Sequence, residues 1–307
     1  MNIYSILKNL LFRKWRKTTL NKKLKKIASL ATRSILYEVV ISPKPGLVDR
    51  FDNGSHSDMN IYHFINSAFS LQNHFENYLK IGYEHSSQDI NNLFDKLRKE
   101  GVLAEKSMFE ATDNVNTHKG LNFAFAIILG AIGYYLKLNH KSKYIDFDVV
   151  FQIVKNMSKN LIEKDFSDIN ESNAKSYGEK LYVKYGILGP RGEAAGGYAF
   201  ILDKILPYIQ KRKNEEYDHE KIFLEVLILL MTKVEDGNLI HRGGIGEWRK
   251  VKLEAEKLYE KILKGEDIRI LLNKYNKVLI ERNLSPGGAA DLLCISIFLN
   301  DLSLLSL

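Results

Sequence analysis

A single cysteine, two tryptophans and five prolines are found among 307 residues. One thiol, Cys294, excludes an intramolecular disulfide and a cysteine-rich metal site. It lies in the apolar stretch Leu292–Leu299, which predicts a buried structural thiol and, with no disulfide framework, the cytoplasm. No apolar run reaches the ~18–20 residues that cross a bilayer. The best candidate, Leu121–Leu136, opens on a polar loop and reads as a buried helix, so no transmembrane segment is expected. The segment Ile3–Phe12 is broken by Lys8 and Asn9 and is followed by no small-residue cleavage site, which makes it a poor signal peptide.

Acidic residues are absent from positions 1–37, which hold ten Lys and Arg. Positions 38–307 hold 35 basic and 37 acidic residues, so the formal net charge of +8 belongs to one end of the chain. We read residues 1–25 as a basic N-terminal extension and 26–307 as the body of the protein, one domain. A basic arm can bind nucleic acid or an anionic membrane surface. The plainer reading is a solvated leader, and no nucleic-acid partner is expected.

Strand-like alternation with hairpin turns is missing, as is any fixed-period repeat. Also missing are a P-loop, a G-x-G-x-x-G after a strand, a G-x-S-x-G elbow and an H-E-x-x-H zinc pattern. A 3.6-residue apolar period runs almost throughout instead. Leu24, Ile27, Ala31, Ile35 and Val39 mark one helix. Ile61, Phe64, Ile65, Ala68, Leu71, Phe75 and Leu79 mark another, with Ser57 and Asp58 available to cap it. Further helices are predicted over 88–112, 119–138, 147–164, 171–186, 193–211, 218–234, 246–263, 267–282 and 286–304. The fold class is all-α, a single multi-helix domain. The stretch 119–138, apolar nearly all round, is its central buried helix.

Glycine and proline are concentrated where the helices stop. Five polar loops, 42–49, 116–120, 189–198, 236–246 and 285–291, hold twelve of the 20 glycines and four of the five prolines. Glycine lets backbone N–H groups approach a ligand, and such loops at helix starts bind phosphate. Each loop also carries ionisable side chains. Lys44-Pro45-Gly46 suits a type II turn, and Lys44 with Asp49 brackets it. Asn116-Thr117-His118-Lys119-Gly120 opens the central helix, whose dipole favours an anion. Arg191 and Glu193, around Gly192, are an anion ligand and an acid on one reading and a surface ion pair on the other. Asp236, Asn238, His241 and Arg242, followed by Gly243 and Gly244, suit Mg²⁺, which takes oxygen ligands and keeps waters. His118 and His241, taken singly, are more often structural hydrogen-bonders than ligands. Ser285 and Pro286 read as the cap and first residue of the last helix, with Gly287 and Gly288 exposing N–H groups and Asp291 facing the same end. Together, Lys44, Lys119, Arg191 and Arg242 balance Asp49, Glu193, Asp236 and Asp291. That balance suits a metal-bound polyphosphate better than nucleic acid, which favours an excess of cations.

The strings Ser42-Pro-Lys-Pro-Gly-Leu-Val-Asp49, Val115-Asn-Thr-His-Lys-Gly120, Arg191-Gly-Glu193, Arg242-Gly-Gly244 and Glu281-Arg-Asn-Leu-Ser-Pro-Gly-Gly-Ala-Ala-Asp291 resemble the triphosphoribosyl-dephospho-CoA synthase family (CitG/MdcB). The match runs in order from about residue 28 to 300 and leaves out the basic leader. The resemblance implies an all-α transferase with Mg²⁺ as cofactor and ATP and 3′-dephospho-CoA as substrates. Its products would be adenine and 2′-(5″-triphosphoribosyl)-3′-dephospho-CoA, the prosthetic-group precursor for citrate lyase or malonate decarboxylase. A separate transferase would attach that precursor to an acyl carrier protein. Under this reading Asp49, Asp236 and Asp291 share metal binding and base duties, with Glu193 the next candidate base. The cations and the glycine-rich loops hold phosphate. The family pattern has Asp-Thr-Asn where this chain has Asp236-Gly237-Asn238, so a hydroxyl is missing. Two other classes compete. One is a helical Mg-dependent ribosyl hydrolase, which would release free ribosyl product without dephospho-CoA. The other is a non-catalytic nucleotide-binding relative, which would bind ATP without turnover.

Overall fold

The computed structural model describes the backbone of residues 3–87 and 89–306, and the side chains of residues 18–306 apart from 88 and 164. Among the described residues there are thirteen α-helices and no strand. In chain order they are α1 Ile3–Val40, α2 Ile61–Glu84, α3 Asn91–Ala111, α4 Lys119–Leu138, α5 Phe147–Ser158, α6 Leu161–Phe166 and α7 Tyr177–Tyr185. Then follow α8 Pro190–Ala195, α9 Leu206–Lys213, α10 His219–Met231, α11 Gly237–Leu263, α12 Ile268–Glu281 and α13 Gly287–Ser303. The boundary expected between a basic extension and the body falls inside α1. The side chains of residues 1–17 lie outside the described residues.

The centre is α4, as its composition predicts. Fourteen of its residues are buried. Its length and apolar content would suffice to cross a membrane, but other helices cover it and it is the core of the protein. The closest approach is to α2. A Cβ on Gly82 would run into the backbone carbonyl of Gly130, and one on Gly133 into that of Leu79. The two backbones therefore touch where a larger residue would separate them. Helices α1, α3, α5, α8 and α13 pack around this pair, and one continuous apolar cluster runs from Leu24 to Leu305. Phe75, Phe125 and Phe298 join α2, α4 and α13 through ring contacts at 4.9 and 5.3 Å.

Several helix limits differ from the periodicity, each for a local reason. Asn60, not Ser57 or Asp58, caps α2, in a reciprocal capping box with His63. The stretch expected over 147–164 is broken between Ser158 and Leu161. The stretch expected over 193–211 is interrupted at Gly197 and Tyr198, both left-handed (φ 70° and 51°), and then widens into a π-helical turn, Ile201–Ile205. Helix α11 starts nine residues earlier than expected, at Gly237. Asp236 caps it, and it bends at Gly244, whose φ of 77° no other residue type adopts freely. Pro286 is the N-cap of α13 and has no side-chain cap of its own, so Ser285 does not serve as one.

Candidate active site

The five loops converge, and contacts tie four of them together. Gly46 packs against the carbonyl of Leu284, and its N–H donates to Asn276 Oδ1 at 2.8 Å. Arg242 donates to the Ser55 carbonyl (2.8 Å) and Asn283 Oδ1 (2.8 Å) and contacts His56 Nδ1 at 3.0 Å. His56 Nε2 lies 2.9 Å from Ser285 Oγ. Gly120 faces Asp291: a Cβ there would lie 2.5 Å from Asp291 Oδ2. Asp236 joins two loops at once. Its Oδ1 accepts the N–H groups of Asn238 (3.0 Å) and Leu239 (3.1 Å), and its Oδ2 accepts that of Ala289 (3.0 Å). One carboxylate thus caps both α11 and α13, which leaves Ser285 free to meet His56.

Between the loops lies a cavity of about 590 Å³, within the range of small-molecule and cofactor sites. It brings together fourteen of the residues expected from sequence: Lys44, Thr117, His118, Lys119, Gly120, Arg191, Glu193, Asn238, His241, Arg242, Ser285, Gly287, Gly288 and Asp291. It does not include Asp49, Gly46, Gly192, Asp236, Gly243 or Gly244. Asp49 faces its own loop. Its Oδ2 accepts from Ser42 Oγ (2.8 Å) and the Lys44 N–H (3.0 Å), and its Oδ1 from the N–H groups of Phe51 (2.8 Å) and Asp52 (3.0 Å). The carboxylates of Asp49 and Asp236 therefore organise backbone. Gly192 packs on Leu188, Gly243 fits between Glu247 and Leu284, and Gly244 forms the bend.

The cations are all partnered. Lys44 is 1% exposed and paired with the buried Glu38. Lys119 pairs with Glu105 at 3.0 Å, and Arg191 with Asp165 at 2.7 Å and not with Glu193. The acids that face the cavity are less satisfied. Neither the Asp291 carboxylate nor the Glu193 carboxylate has a hydrogen-bond partner among the described residues. Burial pushes Asp291 well above the usual carboxylate range, reinforced by the charges of Glu38 and Asp236. Burial, with Glu235 beside it, likewise raises Glu193.

Five buried side-chain polar atoms lack a partner among the described residues, and three of them belong to residues that line this cavity: Thr117 Oγ1, His118 Nε2 and the Tyr198 hydroxyl. Buried polar groups are rarely left unmatched, so such a concentration marks the place of a ligand. His118 Nδ1 is occupied by Ser67 Oγ at 2.7 Å, and the ring edge packs on Phe64. Burial, then the charge of Lys44, lowers its pKa to about 3, so it is neutral in physiological buffer. Thr117 and His118 immediately precede α4, where partial positive charge gathers.

Sequence reasoning missed Glu38, His56, Asp58, Tyr177 and Tyr198, all of which line the cavity. Glu38 had a signal, an acid beside the apolar stripe of α1. Tyr198 had one too, directly following Gly196-Gly197. The arrangement can hold an anion at the start of α4 and a developing positive charge near Glu193 and Asp291. No three His, Cys, Asp or Glu converge as a metal-ligand set among the described residues. Asp291 is the one expected metal ligand with its carboxylate open to the cavity.

Comparison with known proteins adds the rest. The family model described as ATP:dephospho-CoA triphosphoribosyl transferase matches residues 24–306. A protein of Streptococcus equi subsp. equi (strain 4047), named probable 2-(5′′-triphosphoribosyl)-3′-dephosphocoenzyme-A synthase, is 46% identical over 279 residues. That is 89% of this chain and 95% of the relative. Proteins of the same name from Streptococcus mutans serotype c (43% over 283 residues, 90% and 96% of the two chains) and Streptococcus pyogenes serotype M49 (45% over 280 residues, 89% and 95%) are similar to it as well. No solved structure matches.

Proposed function

The chain belongs to the family of ATP:dephospho-CoA triphosphoribosyl transferases, and on that footing we propose that the cavity joins the triphosphoribosyl group of ATP to 3′-dephospho-CoA with release of adenine. The observation that carries this reading is the pairing, in one cavity, of unmatched polar groups at the start of α4 with two open acids, Glu193 and Asp291. The triphosphate is retained in the product, so it has only to be held. Thr117, His118, the α4 and α13 N-termini and the nearby cations suit that task. The reacting centre is the ribose C1′ of ATP. The 2′-hydroxyl of dephospho-CoA attacks it, the C1′–N9 bond breaks, and adenine departs with the bonding electrons. The hydroxyl proton passes to Glu193 or Asp291, a general-base contribution of ~10²–10⁴ in rate. Both acids also face the positive charge that develops on the ribose.

Mg²⁺ characteristically binds through one or two carboxylates plus substrate phosphates, and the open Asp291 fits that pattern where Asp49 and Asp236 do not. Bound there, the ion would neutralise triphosphate charge. We place the reaction in the cytoplasm. Its product would go to a transferase that loads the acyl carrier protein of citrate lyase or malonate decarboxylase.

Mass spectrometry of the protein incubated with ATP, Mg²⁺ and dephospho-CoA tests the reading. A product equal to the two substrates less adenine is expected. Free triphosphoribose formed without dephospho-CoA would point to a hydrolase, and ATP binding without turnover to a non-catalytic relative.

A further inference from the structure

Tyr198 is held in the cavity wall by unusual backbone. It follows Gly197, which is left-handed, and is itself left-handed at φ 51°, a conformation costly for a bulky side chain. Its N–H closes back on the Glu193 carbonyl at 2.9 Å, and the helix that leaves it widens into the π-helical turn Ile201–Ile205. Such turns recur at functional sites. Its ring packs edge-on against Phe151 with centroids 6.0 Å apart, which fixes where the hydroxyl sits. The residue is 1% exposed and its hydroxyl is buried with no partner among the described residues. The charges of Glu193 and Asp291 both act on that hydroxyl.

Electrostatics narrows what the hydroxyl can meet. Of the three unmatched polar groups, Thr117 and His118 stand at a helix start, where a phosphate belongs. Tyr198 stands beside Glu193 and Asp291, where a triphosphate needs a bridging cation such as the Mg²⁺ that Asp291 would hold, and an uncharged acceptor needs none. An uncharged acceptor therefore suits its hydroxyl better. Ile187, Leu188 and Pro190, from the same stretch of chain, give the cavity apolar surface for a flat base. Adenine leaves poorly as an anion and needs a donor on a ring nitrogen as it takes up the C1′–N9 electrons.

We infer that Tyr198 is a catalytic residue whose hydroxyl donates a hydrogen bond to a ring nitrogen of the departing adenine. The phenol keeps its proton overall. The proton that ends on adenine is the one lost by the attacking 2′-hydroxyl and relayed by the carboxylate.

This inference rests on the transferase reading, and the test separates the two. Tyr198→Phe is compared with wild type on ATP and on 6-chloropurine riboside 5′-triphosphate, whose base leaves more readily. We expect turnover of ATP to fall ~10²-fold, the scale of one proton-handling group, while turnover of the chloropurine substrate falls far less. Equal slowing on both substrates, or none on ATP, overturns the inference. Wild-type protein gives a check that does not depend on the variant folding. Either 7-deaza-ATP or 3-deaza-ATP, each lacking one ring nitrogen, should turn over much more slowly than ATP, and turnover of both at the ATP rate overturns it too. If wild type releases no adenine at all, the transferase reading falls with it. Adenine release by wild type and an unimpaired Tyr198→Phe variant removes this inference alone.

Discussion

The backbone N–H of Ala289 donates to Asp236 Oδ2 at 3.0 Å, while the other oxygen of the same carboxylate caps α11. Burial pushes the Asp236 pKa up to about 6 against those backbone donors. An amide in its place would turn an NH₂ group towards a backbone N–H. Asp236→Asn is expected to lower stability by about 1–3 kcal/mol, the cost of an unmatched buried polar group. Urea unfolding measures it, and an unchanged midpoint would remove Asp236 from its role between the two helices.

The buried pair Lys44–Glu38 should behave as a unit. Lys44→Met leaves the Glu38 carboxylate unpaired, and the loss is expected at about 3–5 kcal/mol. Lys44→Met combined with Glu38→Leu should recover part of it. Denaturation midpoints of the two single variants and the double variant decide the matter, and strict additivity would count against a coupled pair.

His118 predicts a pH dependence. Its folded pKa, about 3, lies below the ordinary value of 6.5. Between those values the unfolded chain takes up a proton that the folded protein refuses, so the stability it contributes is full above about pH 6.5 and declines as pH falls towards 3. His118→Gln should flatten that decline. Thermal melts of both proteins at pH 7, 6 and 5 check it, and parallel curves would contradict it.

The acids should separate by phenotype. Asp49→Asn disturbs a carboxylate with four donors and should lose stability by about 1–3 kcal/mol. Asp291→Asn removes a half-buried carboxylate with no hydrogen-bond partner among the described residues. It should leave melting unchanged or raised, cut adenine release ~10²-fold or more, and raise the Mg²⁺ concentration needed. Gly120→Ala, whose new methyl would meet Asp291 Oδ2, should cut turnover in the same direction. Chromatographic adenine release beside melting curves reads all three variants.

Position 237 has room for the missing hydroxyl. A Cβ on Gly237 meets only Leu181 Cδ1, at 3.6 Å. Gly237→Thr should therefore fold normally. A new neutral hydrogen bond to substrate would raise kcat/KM for ATP about two- to tenfold. Unchanged kinetics would deny the hydroxyl a part in binding.

Composition was enough to identify α4, because a helix apolar on every side has to be central. Glycine and proline placement also located the five loops that meet. What stayed hidden was direction. Asp49, Asp236 and Asp291 look alike in a string, each in a loop beside glycine, yet two turn to backbone N–H groups and one to open space. The cap of α13 could not be read locally because it comes from Asp236, some fifty residues away. The break at Tyr198 was masked because apolar spacing continues across Gly196 and Gly197. Glu38 escaped notice by lying on a helix, outside every glycine-rich loop.

The double cap at Asp236 has a consequence for how such a chain can diverge. A Cβ on Gly287 would strike the Asn238 side chain, and one on Gly288 would press on Asp236 at 3.1 Å. Positions 236, 238, 287 and 288 thus have little freedom to drift one at a time. Among descendants of this chain, a change at any one of them should be inherited together with a compensating change at another.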